Sequence, residues 1–356
     1  MKLNLKFDSR LRVDDGIILI PALKRVTEHL KEGGFLNVAG ESGRQLKLKI
    51  GNSPNSNSYV SRKALYTLYK QKPVAVTLGC DPEFLLVGKN GKVCRAEGVL
   101  TDVLGSIGND GALGEFRPAP GKDEHEVTEN LRALIKRLPS IIDSKFPMPG
   151  VLHAEGHSEK QNCPCGFHIH MGAPRPLTSR AALGSPKFLA SFATALDFFV
   201  GIPGLILEQS DLRRLGKGKY GKAGDVRTST FGTIEYRSLG GFHLRHPDYT
   251  KGILALAQCA SKDIITHMEG VSCGWAYLST VSGFDTLQNK YGLPNKEDIL
   301  DAFSSPGKGK ALHMLESVIN VVSTLESYKE HKESIDNFLT LVINNTIYSP
   351  KLQDNW

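Results

Sequence analysis

The chain has 356 residues, 40% of them hydrophobic, enough to bury a sizeable core in one large domain or two. Its six cysteines form no CxxC pair, the chain is far too long to depend on a disulfide framework, and no run approaches the roughly 18 to 20 apolar residues that span a bilayer. The net charge of +7 favours anionic partners without choosing among nucleotides, acidic metabolites and nucleic acid.

MKLNLKFDSR lacks the apolar stretch of a signal peptide, so a reducing, cytoplasmic setting without membrane contact is expected. Residues 1–74 have their own character and read as a small accessory region. LKLNLKF predicts a strand, IPALKRVTEHLKEGG a helix ending in glycines, and QLKLKI another strand. The polar loop SPNSNS follows, then SRKALYTLYKQ at helical spacing.

From about 75 the pattern turns to β-rich segments: VAVTLGCDPEFLLVG, GKVCRAEG, ALGEFRP, GFHIHMG and GTIEYRSLGG. Between them, Val127, Leu131, Leu134, Ile135 and Leu138 mark one helical face, and Phe188, Leu189, Phe192 and Leu196 another. Pro247 suits the first turn of a helix, and the remainder reads as mainly helical, above all 307–344. An α+β class follows.

Side chains two apart on a strand share a face. CDPEF projects Asp81 and Glu83 together, with Phe84 on the other side. FHIHM does the same with His168 and His170, TIEYR with Glu235 and Arg237, and GEFRP with Glu115 and Arg117. A solvent-facing strand alternates too, so one pair alone carries little. Four pairs rich in His, Asp and Glu carry more. On a common sheet their carboxylates would repel one another unless cations sat between them. Carboxylates with an occasional imidazole suit Mg²⁺ or Mn²⁺, which bind substrate phosphates as well, and the arginines would then hold an anionic substrate. That combination fits phosphoryl transfer.

No GxxxxGK[ST] loop and no kinase-type GxGxxG loop is present, so a nucleotide must be held in another way. RRLGKGKYGKAGDVR, 213–227, is glycine-rich and basic. It could fold over phosphates through Arg213, Arg214, Lys222 and Arg227, contact nucleic acid, or be an exposed surface loop.

DPEF, GEFRP, GFHIHMG and TIEYR, in this order over roughly 75–245, resemble the ATP-dependent carboxylate–amine ligases of the glutamine synthetase and glutamate–cysteine ligase superfamily. More narrowly they resemble the phage-type COOH–NH2 ligase type 2 group, which admits a phage-encoded protein in a host cytoplasm. The resemblance implies a curved, mainly antiparallel sheet with the active site on its concave face and helices on its convex side. The catalytic domain would cover 75–275, with 276–356 as its mainly helical C-terminal part. It implies that Glu83 and Glu115 bind the metal nearer the substrate. Asp81, His168 and Glu235 would hold the metal at the ATP phosphates, His170 would face those phosphates, and Arg237 would grip the carboxylate or the phosphoryl group. The implied reaction joins a carboxylate, glutamate or another amino acid, to an amine through an acyl phosphate. The acceptor is open: a small amine, a peptide, a protein or a modified nucleic-acid base.

The chain departs from glutamine synthetase itself. Thr233 stands where an arginine precedes the glutamate by two, and a further metal carboxylate near Glu115 lacks an obvious candidate. Asp110 is five residues away, on the wrong face of an ideal strand unless Gly111 forms a bulge. Three other readings compete: structural zinc on Cys163, Cys165, His168 and His170, a metal-dependent hydrolase or nuclease using the same acids, and a non-catalytic basic binding module.

Overall fold

The structure, a computed structural model, describes residues 76–88, 91–100, 106–145, 151–158, 163–172, 186–216, 220–228, 233–272 and 283–356, with short strands before them. The chain divides into two compact units. One comprises Met1–Val74, Pro174–Ser179 and Ile265–Ser282, the other Ala75–Ala173, Arg180–Ile264 and Gly283–Trp356.

In the first unit β1 (Leu5–Lys6) runs parallel to β4 (Gly34–Ala39), which pairs antiparallel with β5 (Gln45–Ile50). β2 (Arg12–Asp14) and β3 (Ile17–Leu19) form a separate antiparallel pair. QLKLKI is thus a strand as its alternation predicts. Of the two helices expected over 20–34 and 61–71, only Gly34 is among the described residues, and it opens β4.

The second unit is built on β6 (Thr77–Val87), an 11-residue strand that anchors an eight-stranded sheet. Its other strands are β7 (Val93–Cys94), β8 (Ile107–Asp110), β9 (Leu113–Phe116), β10 (Val151–His153), β13 (Phe167–Gly172), β14 (Val226–Thr228) and β15 (Ile234–Tyr236). The order is β14-β15-β13-β6-β9-β8, with β7 and β10 on the far end of β6, and every pairing is antiparallel. The expected α+β class with an antiparallel sheet is what forms. Between β10 and β13, β11 (His157–Ser158) and β12 (Cys163–Pro164) make a small hairpin.

One face of this sheet is apolar. Leu78, Cys80, Phe84, Phe116, Phe167, Ile169, Met171, Ile234 and Tyr236 are buried there, and Phe84 stacks on Phe116 at 4.4 Å. Helices supply the rest of the core: α1 (Glu124–Lys145), α2 (Pro186–Leu196), α3 (Ile202–Leu207), α4 (Leu212–Leu215) and α5 (Pro247–Ser272). After them come α6 (Gly283–Tyr291), α7 (Lys296–Ser304), α8 (Gly309–Val322) and α9 (Tyr328–Ile343). Val127, Leu131, Ile135 and Leu138 are buried on α1, as their spacing predicts, while Leu134 of the same expected face is half-buried. α5 reaches the sheet directly, through Ser261 Oγ to Met171 Sδ and Gln258 Nε2 to the Val76 carbonyl.

Phe188–Leu207 corrects the expectation that no run is long and apolar enough to cross a membrane: α2, a π-helical turn and α3 join into 20 such residues. Of its most apolar window, 89% is buried inside the protein, because it is a core helix.

Candidate active site

The polar side chains lie on the opposite face of the same strands. Register sets His168 across from Asp81, His170 across from Glu235, and Glu235 across from Arg227. Directly paired residues share a face, so the alternations in β6, β13 and β15 converge. Gly166 makes room for this: a Cβ there would sit 2.3 Å from His168 Nε2.

His170 Nε2 donates to Asp81 Oδ1 at 2.9 Å, and its Nδ1 lies 3.1 Å from Thr233 Oγ1. His168 Nδ1 lies 3.9 Å from Asp81 Oδ2 and 3.8 Å from Glu235 Oε1. Arg227 Nε donates to Glu235 Oε2 at 2.5 Å, and Arg237 Nε stands 3.3 Å from Glu235 Oε1. That Oε1 is buried and has no hydrogen-bond partner among the described residues. Ligand atoms of Asp81, His170 and Glu235 all fall within 4.8 Å of one another. His170 therefore completes the tightest set, while His168 stands just behind its two carboxylates. Burial alone would raise the Asp81 carboxyl, but the His170 bond and the nearness of both imidazoles outweigh it and hold it well below the usual range. His170 is opposed by its own burial and is nevertheless raised, through its bond to Asp81 and the charges of Asp81 and Glu235.

On the other side of β6, Glu83 and Glu115 face each other directly across the ladder. Like charges so placed are destabilising. Glu115 has Arg117 as an ion-pair partner, and Glu83 Oε2 accepts the Gly166 N–H at 2.5 Å. Burial raises the Glu83 carboxyl, the charge of Asp110 adds to this, and His168, the Gly166 bond and Arg213 only partly offset it. Asp110 belongs to the same face: the β8–β9 turn is two residues, Gly111 takes φ +57° as its first, and Asp110 pairs across from Leu113, two before Glu115. No bulge is needed. Counting along one strand misses this; the turn's own signal is Gly111 at the first of its two central positions.

These are not solvent-facing strand residues. Glu235 is 1% exposed, Glu83 6%, and Glu115 and His168 7%. Buried carboxylates in this number suit a hard divalent cation, and the orphaned Glu235 oxygen is the atom such an ion would satisfy.

The basic segment divides. Arg227 reaches the cluster, and Lys222 is exposed on the turn before it. Arg213 and Arg214 are buried and tied to backbone carbonyls. Arg213 donates to Ser238 and Arg237, and Arg214 to Phe303 and Ser305, with Asp211 as its ion-pair partner. Cys165 packs with Leu85 and Leu113 in an apolar cluster and belongs to no metal-capable group among the described residues, which counts against the zinc reading; the Cys163 side chain lies outside the described residues. His243 and Arg245 are likewise buried, Arg245 on the Ala154 carbonyl.

The model of the phage phiEco32-like COOH.NH2 ligase-type 2 family matches residues 78–273, more than half the chain. The chain belongs to this family. The four motifs DPEF, GEFRP, GFHIHMG and TIEYR lie inside the match. No curated protein sequence matches the chain. Similar solved structures include a novel glutamine synthase homologue, at 14% identity over 93% of this chain and 92% of that one, with a TM-score of 0.41. A bifunctional glutathione synthetase from Pasteurella multocida is 11% identical over 79% of this chain and 49% of its own, with a TM-score of 0.44. A GmaS/ADP complex is 10% identical over 87% and 81%, at 0.41.

Proposed function

We propose that this carboxylate–amine ligase is ATP-dependent and works on the acidic face of the eight-stranded sheet. The observation that carries the reading is the Asp81–His170–Glu235 cluster, with Glu235 buried and one of its oxygens without a hydrogen bond among the described residues, beside the directly opposed Glu83 and Glu115. Asp81, Glu235 and an imidazole, His170 or His168, would hold one divalent cation, and Glu83 and Glu115 a second. Bound there, Mg²⁺ or Mn²⁺ would neutralise phosphate charge as it develops.

The chain's own residues do the rest. Arg227 and Lys222, on the turn and strand bordering the cluster, bind the ATP phosphates. Arg237 grips the γ-phosphoryl group, and Arg117 orients the carboxylate donor, an amino acid such as glutamate. A donor oxygen attacks the γ-phosphorus and ADP leaves, giving an acyl phosphate. The amine then attacks the acyl carbon and inorganic phosphate leaves as the amide forms. Holding both reactants on one face supplies the proximity contribution, and the buried setting limits hydrolysis of the acyl phosphate.

The test is phosphate release from ATP with Mg²⁺ across a panel of amino acids and amines, with mass spectrometry of the products. Amine-stimulated release with an amide product is expected. Cleavage of nucleic acid without ATP would instead establish the metal-dependent nuclease that the same acids could serve.

A further inference from the structure

Asp197 is fully buried on the π-helical turn Asp197–Gly201, within the long apolar helix run and behind the site strand. A carboxylate there needs a reason, since an acid is among the residues least often found wholly inside. Three donors supply it. Tyr236 Oη donates to Oδ1 at 2.8 Å, Ser238 Oγ to the same oxygen at 3.3 Å, and the Gly224 N–H to Oδ2 at 2.6 Å.

Those donors straddle the site. Tyr236 follows Glu235, Ser238 follows Arg237, and Gly224 sits in the turn that leads into Arg227 with φ +72°. The turn is knitted to the same strand by other bonds. Ser238 Oγ shares its one proton between Asp197 and the nearer Lys222 carbonyl at 3.0 Å, and the Arg237 N–H donates to the Asp225 carbonyl at 2.8 Å. Asp225 Oδ1 lies 3.9 Å from Arg237 Nη1, and Arg213 holds the Ser238 and Arg237 carbonyls. The helix can come this close because Gly201 has no Cβ: one would lie 2.6 Å from Tyr236 Oη. π-turns within helices recur where a side chain must be re-aimed for function.

We infer that Asp197 is a positioning residue that locks the 220–225 turn onto the end of β15, so that Arg227 and Lys222 are presented to the phosphates in register with Glu235 and Arg237. The lock itself is a property of this fold, and its effect on nucleotide binding rests on the ligase reading above. A carboxylate anchors the turn better than a hydroxyl because its two oxygens accept from the turn and the strand at once.

The experiment compares wild type, Asp197→Ala, Asp197→Asn and Tyr236→Phe in the full chain. The first measurement is the rate of tryptic cleavage after Lys222, followed by mass spectrometry under native conditions. Losing the buried acceptor should speed this cleavage at least about tenfold in Asp197→Ala, with cleavage after Lys310 unchanged as an internal control. Asp197→Asn, which keeps one acceptor for Gly224 and a donor for Tyr236, should restore most of the protection. Tyr236→Phe should fall between. If the alanine variant does not fold, Tyr236→Phe and Asp197→Asn decide alone, by the same order of cleavage rates. Equal cleavage after Lys222 in all folded variants overturns the lock. The second measurement is the KM for ATP against kcat: the lock predicts a raised KM in Asp197→Ala and its recovery in Asp197→Asn. A loss of kcat at unchanged KM overturns the presentation of the basic side chains. Absence of ATP turnover in wild type overturns the ligase reading instead, and leaves the cleavage result to decide the lock.

Discussion

The two halves of the acidic face are built on the same central strand and differ in how they treat buried charge. On the β13–β15 side, Asp81 and Glu235 have two imidazoles and two guanidiniums within reach, and Asp81 is held ionised. On the β9 side, Glu83 and Glu115 oppose one another with Arg117 on only one of them, and Glu83 is pushed toward its neutral form. One half is largely assembled by the protein's own cations, whereas the other has charge left to neutralise. A carboxylate paired with histidines stabilises the fold, while two facing carboxylates cost stability until a cation arrives.

The largest effect expected is on turnover. Glu235→Gln removes a ligand charge from the assembled half and should lower ATP-dependent phosphate release by at least about 100-fold, measured under saturating Mg²⁺. Stability should then separate the halves by sign. With divalent ions chelated, Asp81→Asn leaves two histidines short of their partner and should cost about 1–3 kcal/mol in urea denaturation at neutral pH. A neutral outcome would break the claim that this half is self-assembled.

Asp197 extends the comparison, because it is buried without an ion-pair partner among the described residues, and burial pushes it up to about 7 against the bonds from Tyr236, Gly224 and Ser238, with Asp225 raising it further. A raised acid contributes stability that is fully present below its unfolded value near 4 and is lost as pH rises through the folded value near 7. The stability of Asp197→Asn relative to wild type should therefore climb by about 2 kcal/mol between pH 5 and 8, read from denaturation at each pH. The smallest effect is on the other half of the site. Glu83→Gln can still accept the Gly166 N–H and relieves the facing charge, so it should stabilise the metal-free protein by about 0.5 kcal/mol. A clear destabilisation there would erase the contrast between the halves.

The period of two makes much of the site legible in the amino-acid sequence alone. It tells which side chains of CDPEF, FHIHM and TIEYR share a face, and the apolar partners Phe84, Ile169 and Tyr236 are indeed on the other one. Register is not legible, because alternation within a strand says nothing about which residue lies opposite. That Glu83 meets Glu115, and that His170 rather than His168 bonds Asp81, are facts of pairing. Asp110 is misplaced when parity is counted through a two-residue turn. Arg213 and Arg214 look like phosphate ligands in a basic run, yet their neighbours supply carbonyls that consume them. Asp197 is hidden in an apolar helix, where a lone acid gives no pattern. The helices expected over 20–34 and 61–71 fall, Gly34 apart, outside the described residues.

The most direct test of amide formation through an acyl phosphate follows the oxygen. With the donor found in the substrate panel carrying oxygen-18 in its carboxylate, the account predicts one labelled oxygen in each inorganic phosphate released, in step with amide formed. Phosphate that takes its new oxygen from water, with the donor's label untouched, would contradict it.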